Sequence, residues 1–122
     1  MHALSHPIGA RFDTHHGMTN AVVMPYVLAA NRAAIEPTIE RLAAYVGIAD
    51  GFDGFLRHII ALRAAMDVPH TLVDLGVDAA AAGEIAAAAV DDPSAGGNPV
   101  PFDRSFAEAV FNAACTGALH AT

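Results

Sequence analysis

The chain has no lysine, no tryptophan and a single cysteine, and each shortage removes a class of explanation. Its 6 basic residues are all arginines, set against 13 carboxylates for a net charge of −7. No basic stripe is therefore available to displace counterions from a phosphate backbone, and nucleic acid is not an expected partner. Cys115 cannot close an intrachain disulfide. With Phe111, Ala114 and Ala118 at helical spacing around it, Cys115 reads as a core position in a reducing compartment. No apolar run approaches the roughly 20 residues of a membrane-spanning helix, so no membrane partner is expected. The N-terminus also lacks the basic start and unbroken apolar stretch of a secretory signal, because histidine, proline and glycine interrupt it at once. The expected location is the cytoplasm.

What remains is a hydrophobic, alanine-rich chain of 122 residues, 54% hydrophobic overall. That length fits one domain, residues 1–122, which buries roughly two thirds of the surface its unfolded chain exposes. Alanine loses no side-chain entropy in a helix, so the expected class is all-α, a bundle of about six helices. No fixed-period repeat is present.

Helical spacing places the elements. Residues 1 to 12 can form about three turns, with Pro7 tolerated best in the first, and residues 13 to 17 form a connector. From Met18 to Ala34 the apolar residues Val22, Val23, Tyr26, Val27 and Ala30 predict a central helix kinked at Pro25. Residues 36 to 46 carry a stripe of Ile39, Leu42, Ala43 and Val46 and end at Gly47. Residues 52 to 66 carry a stripe of Phe55, Ile59, Leu62 and Met66, with Asp53 placed to pair with Arg57. Asp78 caps an alanine-rich helix that ends near Val90. Residues 93 to 101 form a long loop, and Asp103 caps a final helix with Phe106, Val110, Phe111 and Ala114 inward. The glycines in this loop, Gly96 and Gly97, lead into Pro99 and Pro101, which excludes a phosphate-cradling turn into a helix.

The histidines are distributed unevenly. Four of 7 lie in the first sixteen residues: His2, His6, His15 and His16. Residues four apart share a helix face, so His2 and His6 can face one spot, and a reversal over residues 13 to 17 can return His15 or His16 to it. Converging imidazoles suit zinc or iron. The spacing alone is a weak pattern, and without the resemblance described below solvated or capping histidines are the favoured reading.

The stretch HALSHPIGARFDTHHGMTNAVVMPYVLAANR resembles the signature of the iron-containing, or group III, alcohol dehydrogenases. It matches at His2, Ala3, His6, Pro7, Gly9, Ala10, His16, Gly17, Asn20, Ala21, Pro25 and Asn31. Farther along, PHTLVDLGV and DDPSAGGNPVPFD carry a looser similarity. The resemblance implies the latter part of the C-terminal helical domain of this dehydroquinate synthase-like fold, a fragment of its metal-binding domain, with His2 and His16 as ligands of Fe2+ or Zn2+. It assigns His6, which does not bind metal in the family, a place near nicotinamide and substrate as a proton relay. His15 has no family role, and His58, His70 and His120 read as structural or solvated.

The same resemblance implies that NAD(P) is held mainly by an N-terminal α/β domain that has no counterpart here. The other two metal ligands would come from a helix upstream of residue 1. The expected whole protein is an oxidoreductase that transfers hydride between a small alcohol or aldehyde and NAD(P), and this portion alone is expected to be inactive. A missing partner domain would leave apolar surface around residues 1 to 34, so a homo-oligomer is expected. Alternatives are a non-enzymatic metal-binding helical module using His2, His6 and His16, or a relative of the maleylacetate reductases. The HG of His16-Gly17 follows the alcohol dehydrogenase form rather than the reductase form.

Overall fold

The computed structural model describes residues 1–119, which are helical with no strand among them. Six α-helices follow in order: α1 (His2–Phe12), α2 (His16–Ala30), α3 (Arg32–Tyr45), α4 (Gly51–Ala65), α5 (Ala82–Val90) and α6 (Arg104–Thr116). Three 3-10 turns, at Val73–Leu75, Ala79–Ala81 and Pro93–Gly97, occupy the connections, the last one inside the expected long loop. His120 lies outside the described residues.

Helices α1, α2, α5 and α6 pack on one another around a single core. Leu4 and Ile8 of α1 meet Val22, Val23 and Tyr26 of α2, Ile85, Ala86 and Ala89 of α5, and Val110, Phe111 and Ala114 of α6. The alanines of α5 let this helix approach α6 closely while adding little side-chain entropy cost. Cys115 is buried in the same core, and burial pushes its thiol up to about 11, with Asp78 adding to the rise. It is inert as a nucleophile at neutral pH. Asp103 caps α6 as expected, accepting the Phe106 N–H at 2.8 Å, and Asp78 caps the 3-10 turn before α5 through the Ala80 N–H at 2.9 Å.

Helix α2 runs unbroken through Pro25. Proline has no N–H to offer the carbonyl four residues back, here Ala21. The buried guanidinium of Arg63, from α4, covers this end of the helix, donating to Val22 O at 2.7 Å and more distantly to Ala21 O at 3.4 Å. Its other nitrogen donates to His70 Nδ1 at 2.5 Å, and the Tyr26 hydroxyl donates to His70 O at 2.5 Å. His70 is thus structural.

The break between α2 and α3 falls at Asn31, earlier than the apolar spacing to Ala34 predicts. Asn31 is buried, and its amide Nδ2 donates to Val27 O at 3.1 Å and to Asn98 Oδ1 at 2.9 Å. Asn98 Nδ2 returns a bond to Asn31 Oδ1 at 2.9 Å. This side-chain pair, 67 residues apart in sequence, stops α2 and ties the Pro93–Gly97 turn to it.

Helices α3 and α4 form a hairpin that departs from the expected burial. On α4 the buried residues are Phe52, Gly54 and Arg63, while Leu62 and Met66 of the predicted stripe are 49% and 59% exposed. On α3 only Ala43 is buried. The hairpin has one full partner, each helix for the other, with a limited seat of α4 on α2, so most of each circumference meets water. The expected Asp53–Arg57 pair is not formed. Asp53 binds Arg32 at 2.7 Å and Arg57 binds Asp50 at 2.8 Å, while Arg32 also pairs with Glu36 and lies 4.6 Å over the Phe52 ring. The exposed large apolar side chains accordingly sit on the hairpin, at Leu42, Tyr45, Val46, Leu62 and Met66, with Val73 and Val90 beyond it, and none lies in residues 1 to 34 as expected.

Candidate functional site

Two neighbouring helices bring the histidines together. His2 and His6 project from successive turns of α1, and the connector reverses the chain at Asp13, whose left-handed backbone (φ 55) ends α1. Thr19 then fixes the start of α2, its hydroxyl donating to Thr14 Oγ1 at 2.7 Å. His15 becomes the N-cap, accepting the Met18 N–H at 3.4 Å, and stays outside the cluster. His16 turns back onto α1.

The three rings of His2, His6 and His16 are mutually adjacent. Their centres are 5.3 Å apart for His2 and His16, 5.4 Å for His6 and His16, and 5.9 Å for His2 and His6. All three residues are exposed on one side. His58 and His70 are elsewhere.

Hydrogen bonds around the cluster limit its tautomers. The buried Ser5 hydroxyl donates to His2 O at 3.3 Å and is left to accept from His16 Nδ1–H, also at 3.3 Å. That leaves His16 Nε2 as the acceptor, 3.1 Å from the Asn20 Nδ2 donor. Asn20 Oδ1 is buried with no partner.

His6 Nδ1 donates to Asp92 Oδ2 at 2.8 Å. The other oxygen, Asp92 Oδ1, accepts the Ser94 hydroxyl at 2.5 Å and the Ser94 N–H at 2.9 Å, capping the Pro93–Gly97 turn. The Ser94 hydroxyl, the Ser94 N–H and then His6 together hold the Asp92 carboxyl down at about 2. Sequence reasoning missed Asp92 and Ser5. The Asp-Pro-Ser order does signal a cap with proline at the first turn position. Nothing local, however, announces a partner 86 residues away.

Beside His2 a cleft of about 330 Å³ opens between α2 and the Pro93–Gly97 turn, walled by Val27, Leu28, Ile35, Ala95 and Phe102. Its lining also includes Asn31 and Ser94.

The donor set fits part of a metal shell. Two imidazoles sharing one tetrahedral ion at nitrogen distances of about 2.1 Å carry their ring centres roughly 5 Å apart. His2 and His16 satisfy this, and the Ser5 bond to His16 Nδ1 is the outer contact that orients a ligating imidazole. Among the described residues no group of three or more His, Cys, Asp or Glu side chains is arranged to hold a metal ion, the cluster of His2, His6 and His16 included.

Residues 1–118 match the model of the C-terminal part of the iron-containing alcohol dehydrogenases. The chain belongs to that family. It is 29% identical over 106 residues to the lactaldehyde reductase of Escherichia coli K12, spanning 81% of this chain and 28% of that protein. It is 32% identical over 108 residues to the 1,3-propanediol dehydrogenase of Citrobacter freundii, spanning 81% of this chain and 27% of that one. The crystal structure of a 1,3-propanediol oxidoreductase superposes with a TM-score of 0.85 at 28% identity, over 93% of this chain and 31% of that chain. The chain thus spans about three tenths of the length of these relatives. Among its described residues no helix is long and apolar enough to cross a membrane.

Proposed function

We propose that residues 1–122 are one helical unit that forms the metal-closing edge of an iron-type alcohol dehydrogenase. The observation that carries this is the convergence of His2, His6 and His16 within a segment that matches the family's C-terminal part over residues 1–118. His2 and His16 would hold a divalent iron or zinc through imidazole nitrogens. When bound, such a metal supplies Lewis-acid polarisation of an alcohol or aldehyde oxygen, and NAD(P) the hydride acceptor or donor.

The remaining work falls to this chain's side chains. Ser5 holds the His16 proton on Nδ1, so the Nε2 lone pair, which here accepts from Asn20 Nδ2, is the one a metal would take in place of that bond. His6, beside both ligands, receives or returns the hydroxyl proton as alcohol and carbonyl interconvert. The cleft beside His2 offers apolar walls and the Asn31 and Ser94 side chains to a short alcohol, excluding bulk water from one flank. The exposed apolar side chains of the α3–α4 hairpin support self-association in the cytoplasm.

With two ligands and no dinucleotide-binding turn, the chain alone should reduce NAD(P) only at background with propanediol and added iron or zinc. Grafted in place of the matching segment of the Citrobacter propanediol dehydrogenase, it should support metal-dependent turnover. His2→Ala and His16→Ala should abolish that turnover with loss of metal, and His6→Gln should lower kcat with metal retained. A folded graft whose activity survives His2→Ala contradicts the reading.

A further inference from the structure

We infer that Asp92 is a positioning residue for His6, fixing its ring and its tautomer so that Nε2 is the nitrogen free to take a proton. The inference rests on the reading of His6 as the proton carrier, but its geometry is independent of metal and cofactor. An ionised carboxylate only accepts, so the 2.8 Å contact requires the proton of a neutral His6 ring to sit on Nδ1. Nε2 then carries the lone pair, and it has no hydrogen-bond partner among the described residues.

The carboxylate itself cannot swing. Its Oδ1 is held by the Ser94 hydroxyl and N–H, which close the first turn after Pro93, and this leaves Oδ2 aimed at α1. Asp92 is only 11% exposed in its side chain and His6 is 49% exposed, so the covered and doubly bonded partner holds the more open one. The division of labour is that of a carboxylate that holds an imidazole in one tautomer without itself accepting the transferred proton. It also explains why α1 and the Pro93–Gly97 turn, far apart in sequence, are packed together at this point.

The Asp92→Asn variant gives a sharp expectation. The Ser94 N–H still demands an oxygen, so the amide oxygen takes the place of Oδ1 and the amide NH2 faces His6. Facing a donor, His6 Nδ1 must become the acceptor, and the proton moves to Nε2. Asp92→Ala removes the one partner of Nδ1 and releases the ring to the tautomer mixture of free imidazole.

Nitrogen-detected NMR of the metal-free chain, at a pH where the ring is neutral, reads this directly. The expected result is Nδ1–H for His6 in the wild type, Nε2–H in Asp92→Asn, and loss of the Nδ1–H preference in Asp92→Ala, with the backbone amide spectrum unchanged. Nε2–H in the wild type overturns the inference without any variant, and so does Nδ1–H retained in Asp92→Asn. Because no metal or alcohol is present, this result is separate from whether His2 and His16 bind metal. In the grafted enzyme, inversion of the tautomer with kcat unchanged would leave Asp92 as the anchor of the ring and overturn the proton-carrier role of His6.

Discussion

Between α1, α2, α5 and α6 the large apolar side chains are sealed from water, whereas the α3–α4 hairpin leaves Leu42, Tyr45, Val46, Leu62 and Met66 exposed. No residue of α3 or α4 belongs to the main core. The hairpin is held instead by polar and mixed contacts: the Arg63 guanidinium on α2, and Arg32 joining Asp53, Glu36 and the Phe52 ring. His2, His6, His16, Ser5 and Asn20 lie on the body and Asp92 caps the turn packed against it, while the hairpin contributes only Ile35, to the wall of the cleft. The difference teaches that stability and site geometry are carried by the body, while the hairpin is an attachment whose apolar face is open to other surfaces.

The comparison can be broken most severely from the inside. Phe111→Ala, which empties the centre of the body, should cost about 3 to 5 kcal/mol in urea unfolding. Arg63→Met keeps the side-chain length but removes the donors to Val22 and Ala21, and should cost roughly 1 to 3 kcal/mol. Its hydrogen-exchange signature should be local, with protection lost in Gly51–Ala65 and kept in α1 and α6. Loss of protection throughout would show that the hairpin and body are one cooperative unit.

Smaller effects sharpen the same contrast. Wild-type stability should fall as pH drops from about 4 towards 2, because the Asp92 carboxyl lies at about 2 when folded, below its ordinary 3.8. A depressed carboxyl stabilises the fold above the unfolded value, and that stabilisation is lost as pH falls through the folded one. Acid unfolding of Asp92→Asn should therefore be flatter over that window. Leu62→Ala, on the open face of α4, should change stability by no more than about 0.5 kcal/mol. A loss comparable to that of Phe111→Ala would mean that the hairpin face is covered in solution.

Much of the fold was legible because helical spacing, caps and prolines are local signals. Asp78, Asp103 and the stripe of α6 fall where the spacing places them. The hairpin stripes were read correctly as helix and wrongly as core, because periodicity reports that a face is apolar and not whether anything packs on it. Leu62 and Met66 have the right spacing and still keep about half of their surface open to water, 49% and 59%. The Asn31–Asn98 pair and the Asp92 contact were not legible, since each joins residues 67 and 86 positions apart through side chains that look like ordinary turn formers. At the site, the facing of His2 and His6 follows from a four-residue interval on one helix. The choice of His16 over His15 depended on the resemblance; His15 lies at the cap of α2, outside the cluster.

The central claim is that His2 and His16 form a metal-binding edge, and a calorimetric titration of the chain with Zn2+ tests it most directly. One ion per chain should bind, with affinity lowered about tenfold or more by His2→Ala or by His16→Ala and unchanged by His15→Ala. Binding that is absent, or that is indifferent to His2→Ala and His16→Ala, would contradict the account.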